Sequence, residues 1–543
     1  MASLASIQDQ QLFLWEDMEN IHVKEVASQL NVSISTVHNW QKQGLLKSVS
    51  ANVVTISSVE TFVQQYVGKK KLCARANKLH KERDKQSLHD DLNLKGDEKG
   101  LRYESSLSDA MKNKEGIYYT PKEIVADMYL SLQNVDWSNK LVLEPCCGCG
   151  NFVIEAIRRG AHPNNIYAFD TDETAVRITQ QRIYELTGME SPHIQCADFL
   201  QISQRLKEKK FDIIFTNPPW GKKITKEEKE RFAKIYQTSS KDSCSLFLAA
   251  CLSLLGENGI LGFLLPESFF NISTFEDIRC KVLHSKILMM KDYGKPFKGL
   301  MTRAQSLILS HNPAEECHEI SCIYDGKRFM RRQYGLANHP KHIFNFWISE
   351  MDGATIEHLF SFPHTTLQGK AQWGLGIVTG DNSKFLKKEG GQGLTPIVRG
   401  KDITTRGVMN SGLFIVDNHL TSCQQVAPIS LYKAQEKLIY RFISDSLVFV
   451  VDNCQRYILN SANMLILNED FPINHHQLAH LLNSTLMNWL FTKLFRTHKI
   501  LRGDLECLPI FADFFKNREI FNENELWNYL GIEYINGDFR IKR

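Results

Sequence analysis

Residues 217–220, Asn-Pro-Pro-Trp, place two hydrogen-bond acceptors beside an aromatic ring. The two prolines fix φ and remove two N–H donors, so the Asn217 amide oxygen and the Pro218 carbonyl are held in one rigid arrangement. The lone pair of an amino group on a planar ring is delocalised. Accepting both of its hydrogens makes that nitrogen a better nucleophile. The alternative interpretation of Asn and Pro here is a simple turn after a strand.

A buried strand must carry this motif, because residues 211–216 form a short apolar run with one polar break. In open α/β sheets, ligands bind at the carboxyl ends of the strands. A second strand, 141–143, runs into a glycine-rich turn at 144–152 and then a helix. The turn lets the backbone approach a nucleotide-like ligand, but it lacks the third glycine of a dinucleotide fingerprint and the lysine of a P-loop. Glu144, before the turn, suits a ligand with a positively charged amino group.

Two more predicted strands end in acidic residues. Asp170 follows the strand 165–169, about twenty residues after the glycine turn, where an acid is placed to bind ribose hydroxyls. The strand 193–196 leads to Asp198 and Phe199, a carboxylate for an adenine amino group and a ring to stack on the base. Each acid alone could be a strand end or a helix cap. Three such strand ends before Asn-Pro-Pro-Trp favour one common ligand site.

On these motifs the chain resembles the gamma-class, TaqI-like N6-adenine DNA methyltransferases of restriction-modification systems. The resemblance runs from about residue 115, where Gly-Ile-Tyr-Tyr-Thr-Pro begins at 116, to about residue 511. It implies an α/β fold: a Rossmann-like methyltransferase domain with a mixed seven-stranded sheet, followed by an α+β target-recognition domain. It also implies S-adenosylmethionine as cofactor. The substrate would be adenine in double-stranded DNA. The base would be flipped out of the helix, and its N6 nitrogen would attack the methyl group directly.

The resemblance also assigns residue roles. Those expected around the cofactor are Tyr119, Thr120, Glu144, Gly148, Gly150, Asp170, Asp198, Phe199 and Phe247. The catalytic motif is Asn217, Pro218, Pro219 and Trp220, and the rings expected to stack on the target base are Trp220 and Phe297. The family usually has tyrosine at the position of Trp220, which keeps the stacking role and loses a hydroxyl. No metal site is expected, because the cysteines of the glycine turn are spaced too tightly for zinc.

Four segments are predicted along the chain: a helix-turn-helix at 1–68, a charged helical linker at 69–110, the catalytic domain at 111–330 and the target-recognition domain at 331–543. The basic residues that could contact DNA in the last segment are Arg399, Lys401, Arg441, Arg456, Arg496, Lys499 and Arg502. Most such residues contact phosphate or solvent rather than base edges.

The N-terminal segment is similar to winged helix-turn-helix modules of the MerR or excisionase kind. Apolar residues at 23, 26, 27 and 30 fall on one face of a first helix. Asn31 is suited to a left-handed turn, and Ser33 or Ser35 to capping a second helix. That helix would expose Ser35, Thr36, His38, Asn39 and Gln41. The alternative is a small helical domain used only for protein contact.

The composition limits where the protein is expected to act and how it can bind DNA. A net charge of +4 means that DNA affinity must come from local patches. No secretory signal or membrane-length apolar run is present, and thirteen cysteines, an odd number, indicate a reducing compartment, so a cytoplasmic protein without membrane contact is expected. No nuclease cluster precedes the catalytic domain. Modification without cleavage is therefore expected, and any cognate restriction endonuclease would be a separate protein.

Three other functions stay open at this point. An RNA-adenine methyltransferase would use the same chemistry. A protein-glutamine N-methyltransferase shares the Asn-Pro-Pro-aromatic motif, but that class lacks a large C-terminal domain. A DNA-binding regulator with an inert methyltransferase fold is opposed by the intact motif and strand-end acids.

Overall fold

The computed structural model describes residues 19–30, 34–42, 44–66, 95–107, 118–133, 135–222, 224–297, 300–496, 498–516, 518 and 520–542. Within them the chain divides into two compact units. The smaller unit comprises Met1–Thr120, Glu144–Phe199 and Pro219–Lys223, and the larger comprises Pro121–Leu143, Leu200–Pro218 and Ile224–Arg543. Across the described ranges, no helix has the length and apolarity needed to cross a membrane.

The N-terminal region contains three short strands and three helices. In order they are β1 (Asn20–His22), α1 (Val23–Gln29), α2 (Ile34–Lys42), β2 (Ser48–Ser50), β3 (Val53–Thr55) and α3 (Ile56–Tyr66). The predicted apolar face of α1 is buried at Val23 and Val26, and Trp40 of α2 packs on Phe62 of α3 with ring centroids 4.5 Å apart. The predicted turn and cap residues at 31 and 33 lie outside the described residues, as does the side chain of Ser35. The helix-turn-helix assignment stays a prediction.

The next region alternates strands and helices. Its elements are α4 (Gly96–Ser106), α5 (Lys122–Tyr129), β4 (Val142–Glu144), α6 (Asn151–Arg158), β5 (Ile166–Asp170), α7 (Glu173–Thr187), β6 (Ile194–Cys196), α8 (Phe199–Ile202), β7 (Phe211–Thr216), α9 (Lys226–Ile235), α10 (Ser243–Leu254), β8 (Leu255–Pro266), α11 (Ser268–Asn271), α12 (Glu276–Leu283), β9 (Lys286–Asp292), β10 (Ala304–Ser310), β11 (Glu319–Tyr324), β12 (Lys327–Arg332) and α13 (Gln333–Asn338).

Among the described residues this region has nine strands, β4 to β12, rather than the expected seven. The seven expected strands are β4 to β10, and the hairpin of β11 and β12 adds two. In the larger unit the order is β12-β11-β9-β10-β8-β7-β4. Strand β7 pairs in parallel with β4 and β8, whereas β10 is antiparallel to β8 and β9. In the smaller unit β5 and β6 pair in parallel. The predicted α/β fold is confirmed, with this extension at one edge.

Helix α4 belongs to the segment 69–110 that was predicted as a charged linker. It packs against α7: the Arg182 guanidinium donates to Asp97 at 2.7 Å, and the Tyr103 hydroxyl donates to Asp172. The earlier part of that segment, 69–94, lies outside the described residues. The helix therefore packs on the alternating region, and the predicted boundary of the catalytic domain at 111 stays a prediction.

The C-terminal region mixes short strands and helices, as the predicted α+β class requires. Its elements are α14 (Glu350–Ser361), β13 (Ala371–Leu375), α15 (Asn382–Phe385), β14 (Leu386–Lys387), β15 (Leu394–Val398), β16 (Ile403–Thr404), β17 (Gly407–Val408), β18 (Phe414–Val416), α16 (Ile429–Tyr432), β19 (Lys437–Arg441), β20 (Phe449–Asp452), β21 (Tyr457–Ile458), β22 (Ala462–Leu467), α17 (His475–Asn483), α18 (Thr485–Leu494), α19 (Arg502–Leu505), α20 (Glu523–Tyr529), β23 (Ile532–Ile535) and β24 (Asp538–Ile541).

Two four-stranded sheets organise this region, in the orders β13-β22-β19-β20 and β14-β18-β15-β21. Strands β19 and β20 are joined by a fully buried ion pair, in which Lys437 Nζ lies 2.6 Å from Asp452 Oδ2. Lys437 also donates to the Tyr432 carbonyl at 2.7 Å, and Asp452 accepts from the Arg456 backbone at 3.0 Å. Further hydrogen bonds of this kind are what make a buried ion pair tolerable.

Candidate active site

Two glycines with positive φ shape the turn between β4 and α6. Gly148 has φ +50° and Gly150 has φ +86°. A Cβ added at Gly148 would lie 2.6 Å from Cε1 of Tyr119, and one added at Gly150 would lie 2.7 Å from Cγ2 of Thr179. Both positions therefore require glycine, for the left-handed backbone and for the close approach of a neighbouring side chain.

Helix α7 holds this turn from behind. Thr179 Oγ1 donates to the Gly148 carbonyl at 2.9 Å. The buried Arg182 guanidinium donates to the Cys149 carbonyl and, at 2.9 Å, to Asn151 Oδ1. No sequence motif described above includes Thr179 or Arg182. Their spacing of three residues, which would put both on one face of a helix, is the signal that could have found them.

The acid before the turn is buried and bonded within it. Glu144 Oε1 accepts from the Cys146 backbone N–H at 3.2 Å. Burial raises the pKa of the Cys147 and Cys149 thiols well above the usual range, so both stay protonated at neutral pH. These cysteines are packing residues of the turn.

Asp170, at the end of β5, is tied to the same turn. One of its carboxylate oxygens accepts from the Gly148 N–H at 2.8 Å and the other from the Asp172 N–H at 2.9 Å. Burial raises the pKa of this carboxyl, and the two backbone bonds oppose the rise. The carboxylate thus has one fixed orientation at the strand end where the sequence predicted it.

The segment before α5 is fastened to α6. Asn151 Nδ2 donates to the buried Thr120 carbonyl at 2.9 Å. The Tyr118 ring lies 6.1 Å from the ring of Trp220, measured between centroids, at a tilt of 41°. Residues 116 and 117 of this predicted motif lie outside the described residues. Two aromatic rings of the motifs are therefore neighbours in the smaller unit.

Asp198 and Phe199 follow β6 as expected. The Ala197 N–H donates to the Asp170 carbonyl at 2.8 Å, which fixes the path of the chain there. Asp198 is half-buried, whereas Phe199 is only 1% exposed and its ring centroid lies 6.3 Å from that of Phe169. A ring so well covered offers no free face for a base in this conformation, so its predicted stacking role stays a prediction.

Asn217 and Pro218 stand directly after β7. Pro218 is buried and Asn217 is half-buried. The end of the strand is held by aromatic packing: the Tyr129 ring stacks on Phe215 with centroids 4.5 Å apart, and a Cβ on Gly262 would lie 2.6 Å from Phe215 Cε1. Tight packing on both sides leaves β7 little freedom to shift the acceptors that follow it.

The structure divides the predicted site residues between the two units. Those in the smaller unit are Tyr119, Thr120, Glu144, Gly148, Gly150, Asp170, Asp198, Phe199, Pro219 and Trp220. Asn217, Pro218, Phe247 and Phe297 belong to the larger unit. Phe247 lies in α10 and is 4% exposed, and Phe297 lies between β9 and β10 and is 7% exposed. Trp220 is half-buried.

Comparison with known proteins identifies the family of this chain. The N-6 DNA Methylase model matches residues 95–341, and the TaqI-like C-terminal specificity domain matches residues 395–510. The type II methyltransferase M.VspI of Vibrio sp. (strain 343) is 43% identical over 405 residues, which cover 73% of this chain and 99% of that relative. The chain belongs to the N-6 DNA methylase family. It is a site-specific DNA methyltransferase of the restriction-modification type.

More distant comparisons agree with this methylase fold. The modification methylase CviBIII of Paramecium bursaria Chlorella virus NC1A is 28% identical over 217 residues, 39% of this chain and 54% of that relative. The DNA-bound structure of the restriction-modification enzyme MmeI superposes with a TM-score of 0.51 at 12% identity, over 75% of this chain and 70% of that one. At such low identity, the similarity to MmeI supports the fold alone.

Five of the seven basic candidates in the methylase's C-terminal region have partners among the described residues. Arg399 Nε donates to Asp402 at 2.9 Å, and Arg502 Nε donates to Glu506 at 2.8 Å. Others that are engaged are Arg441 with the Ile403 carbonyl, Arg456 with Asp452, and Arg496 with Asp325. These contacts orient the side chains.

Proposed function

We propose that this methylase transfers a methyl group to N6 of adenine within a specific sequence of duplex DNA. The observation that carries the proposal is the Asn217–Pro218 pair at the carboxyl end of the tightly packed strand β7, followed in the sequence by the half-buried Trp220. An exocyclic amine needs two acceptors, and this motif offers two at adjacent positions.

We further propose S-adenosylmethionine as the methyl donor. The residues fit it by donor set: Glu144 for the amino group, Asp170 for the ribose hydroxyls and Asp198 for the adenine amine. Each Asp170 oxygen accepts one backbone N–H, and a carboxylate has about four lone-pair sites, so capacity for hydroxyl groups is left. When bound, this cofactor supplies a methyl group on a positively charged sulfur.

The protein's own residues would position the target base and accept the hydrogens of its amino group. A stacked adenine cannot present N6 to a methyl donor, so the base must leave the helix. Trp220 would stack on the extruded ring, with Phe297 as the second ring. The Asn217 amide oxygen and the Pro218 carbonyl would accept the two N6 hydrogens and make the nitrogen lone pair available. Fixed acceptors of this kind contribute through orientation and electrostatics.

The same proposal includes the source of sequence specificity, the cellular location and the partner of the protein. The C-terminal region would select the sequence, and the methylase would act in the cytoplasm. A cognate restriction endonuclease would be a separate protein. The alternatives are an RNA or protein-glutamine substrate, or an inert fold that only binds DNA.

The test is genome-wide mapping of N6-methyladenine by long-read sequencing of cells that express the wild type, Asn217→Ala or Asn312→Ala. Asn312 is an exposed asparagine of the larger unit and serves as the control. One methylated motif with the wild type and the control, and none with Asn217→Ala, is the expected result. Absence of methylated DNA in the wild-type strain would contradict the proposal and favour one of the alternatives.

A further inference from the structure

The loop between β9 and β10 carries Phe297 and is closed at its base by backbone hydrogen bonds. The Tyr293 N–H donates to the Ala304 carbonyl at 2.9 Å, and the Ala304 N–H donates to the Gly294 carbonyl at 2.8 Å. The two strands therefore stay in antiparallel register up to the start of the loop.

One buried carboxylate reinforces that base. Asp292, whose side chain is 2% exposed, accepts from Arg303 Nε at 2.9 Å and from Gln305 Nε2 at 3.1 Å on the facing strand end. It also accepts from the Gly294 N–H at 3.0 Å, on the loop's first turn. Asp292 thus ties together both strands and the beginning of the loop.

Arg303, which binds Asp292, also contacts a second carboxylate. Arg303 Nη2 donates to Asp325 Oδ1 at 2.6 Å, in the turn between β11 and β12. The other oxygen of Asp325 lies 3.5 Å from Nη2 of Arg496, just after α18. Both guanidinium groups lie near the Tyr324 ring, at 5.1 Å for Arg303 and 4.5 Å for Arg496. Four charges of alternating sign therefore form one continuous row.

The row joins two parts of the molecule with different roles. Arg496 falls within the segment matched by the specificity domain, whereas Asp292, Arg303 and Asp325 fall within the segment matched by the methylase domain. All four belong to the larger unit. An exposed ion pair alone contributes little, but a planar guanidinium bridging two carboxylates restricts geometry as well as adding energy.

We propose that the row Asp292–Arg303–Asp325–Arg496 is a positioning device through which the specificity domain sets the conformation of the Phe297 loop. The inference rests on the proposed function, because Phe297 matters as the second ring for the target base. In this role none of the four residues needs to touch the substrate. They act on the reaction by holding the loop that does.

The variant that tests this is Asp325→Asn. Asp325 has φ +46°, a left-handed conformation that asparagine also adopts, so the turn is kept while the charge between the two arginines is removed. Arg496→Gln removes the far end of the row. The control is Asp513→Asn, which breaks an exposed pair with Lys516 of similar length, 2.6 Å, outside the row.

The first readout is amide hydrogen exchange of the described loop residues, which needs no activity. Faster exchange in Asp325→Asn and Arg496→Gln, but not in Asp513→Asn, is expected. Exchange equal to the control in both variants would overturn the positioning role.

The second readout uses a duplex with 2-aminopurine at the target adenine found by the mapping experiment. Both row variants should lower the flipping signal and the single-turnover rate on the order of three- to tenfold, with S-adenosylhomocysteine affinity unchanged. The double variant should be no worse than the single ones. Altered exchange in a protein that methylates no adenine would refute the proposed function alone, whereas normal methylation and exchange in both variants would refute the positioning role alone.

Discussion

Tyr119 lies so close to Gly148 that a Cβ on the glycine would be 2.6 Å from Cε1 of the ring. One residue belongs to the segment before α5 and the other to the glycine turn. The absence of a side chain at 148 is therefore what lets the two segments meet.

Gly148→Ala should weaken binding of S-adenosylhomocysteine at least tenfold and lower stability by about 1–3 kcal/mol, because the alanine is strained and displaces Tyr119. Isothermal titration and thermal melting measure the two effects. The control is Gly188→Ala, which has a comparable φ of +69° but nothing within 4 Å of the added Cβ. It should lose stability only. Equal cofactor affinity in both variants would contradict the steric argument.

Asn217→Ala should lower the methylation rate on the order of 100- to 1000-fold, the usual cost of losing one preset hydrogen-bonding group at the reacting atom. Cofactor affinity should not change, because the proposed cofactor contacts come from other residues. Single-turnover transfer of a radiolabelled methyl group to a duplex with the mapped site measures the rate. A rate within a few-fold of the wild type would remove Asn217 from the reaction.

Trp220→Ala should weaken base flipping by about 1–3 kcal/mol, the usual contribution of stacking on a base, whereas Trp220→Phe should keep most of it. The 2-aminopurine signal at the target position is the measurement. A phenylalanine variant as poor as the alanine variant would show that the indole does something other than stack.

Binding of S-adenosylhomocysteine should depend on pH through Asp170. Burial raises the pKa of this carboxyl above the ordinary 3.8, so the acceptor form is lost on acidification before an ordinary aspartate would protonate. When the affinity of the wild type is measured from pH 7 downward, it should begin to fall at a pH above that at which an ordinary aspartate becomes protonated. In Asp170→Asn it should be low and independent of pH. A wild-type affinity that stays constant until the protein unfolds would exclude the ribose role.

Asp452→Asn should lower the free energy of unfolding by about 3–5 kcal/mol, because it leaves the Lys437 ammonium buried without its partner. Burial raises the pKa of Asp452, but hydrogen bonds and charge from Lys437 and Arg456 outweigh it, and the net pKa is lowered. Because the pKa of Asp452 is lower in the folded than in the unfolded protein, its ionised form stabilises the fold at pH values above the unfolded pKa near 3.8. That stabilisation is lost as the pH falls through the folded pKa. Urea unfolding at pH 7 and pH 3 should therefore show a smaller difference between variant and wild type at pH 3.

The strands of the site were predictable because they carry a strong local signal. Residues 211–216 were predicted as a strand and are β7, and the runs at 141–143, 165–169 and 193–196 became β4, β5 and β6 within about a residue. Each is a short apolar run that stops at an acid or a turn, and such runs need no knowledge of the rest of the chain.

What escaped prediction depends on distant partners. Helix α4 is rich in charge and was predicted as part of a linker, yet Asp97 pairs with Arg182, 85 residues away. Nothing near Asp97 in the sequence indicates that partner. The same holds for Asp325 and Arg496, which are 171 residues apart.

The two hydrogen bonds from α7 to the glycine turn have a consequence for evolution. Thr179 and Arg182 hold the turn through the backbone carbonyls of Gly148 and Cys149, so these two bonds do not require cysteine at any position of the turn. Three cysteines can stand there because the turn's shape is encoded in a helix about thirty residues later. A substitution in α7 would then change cofactor affinity through conformational entropy, by loosening the turn, without removing any ligand contact.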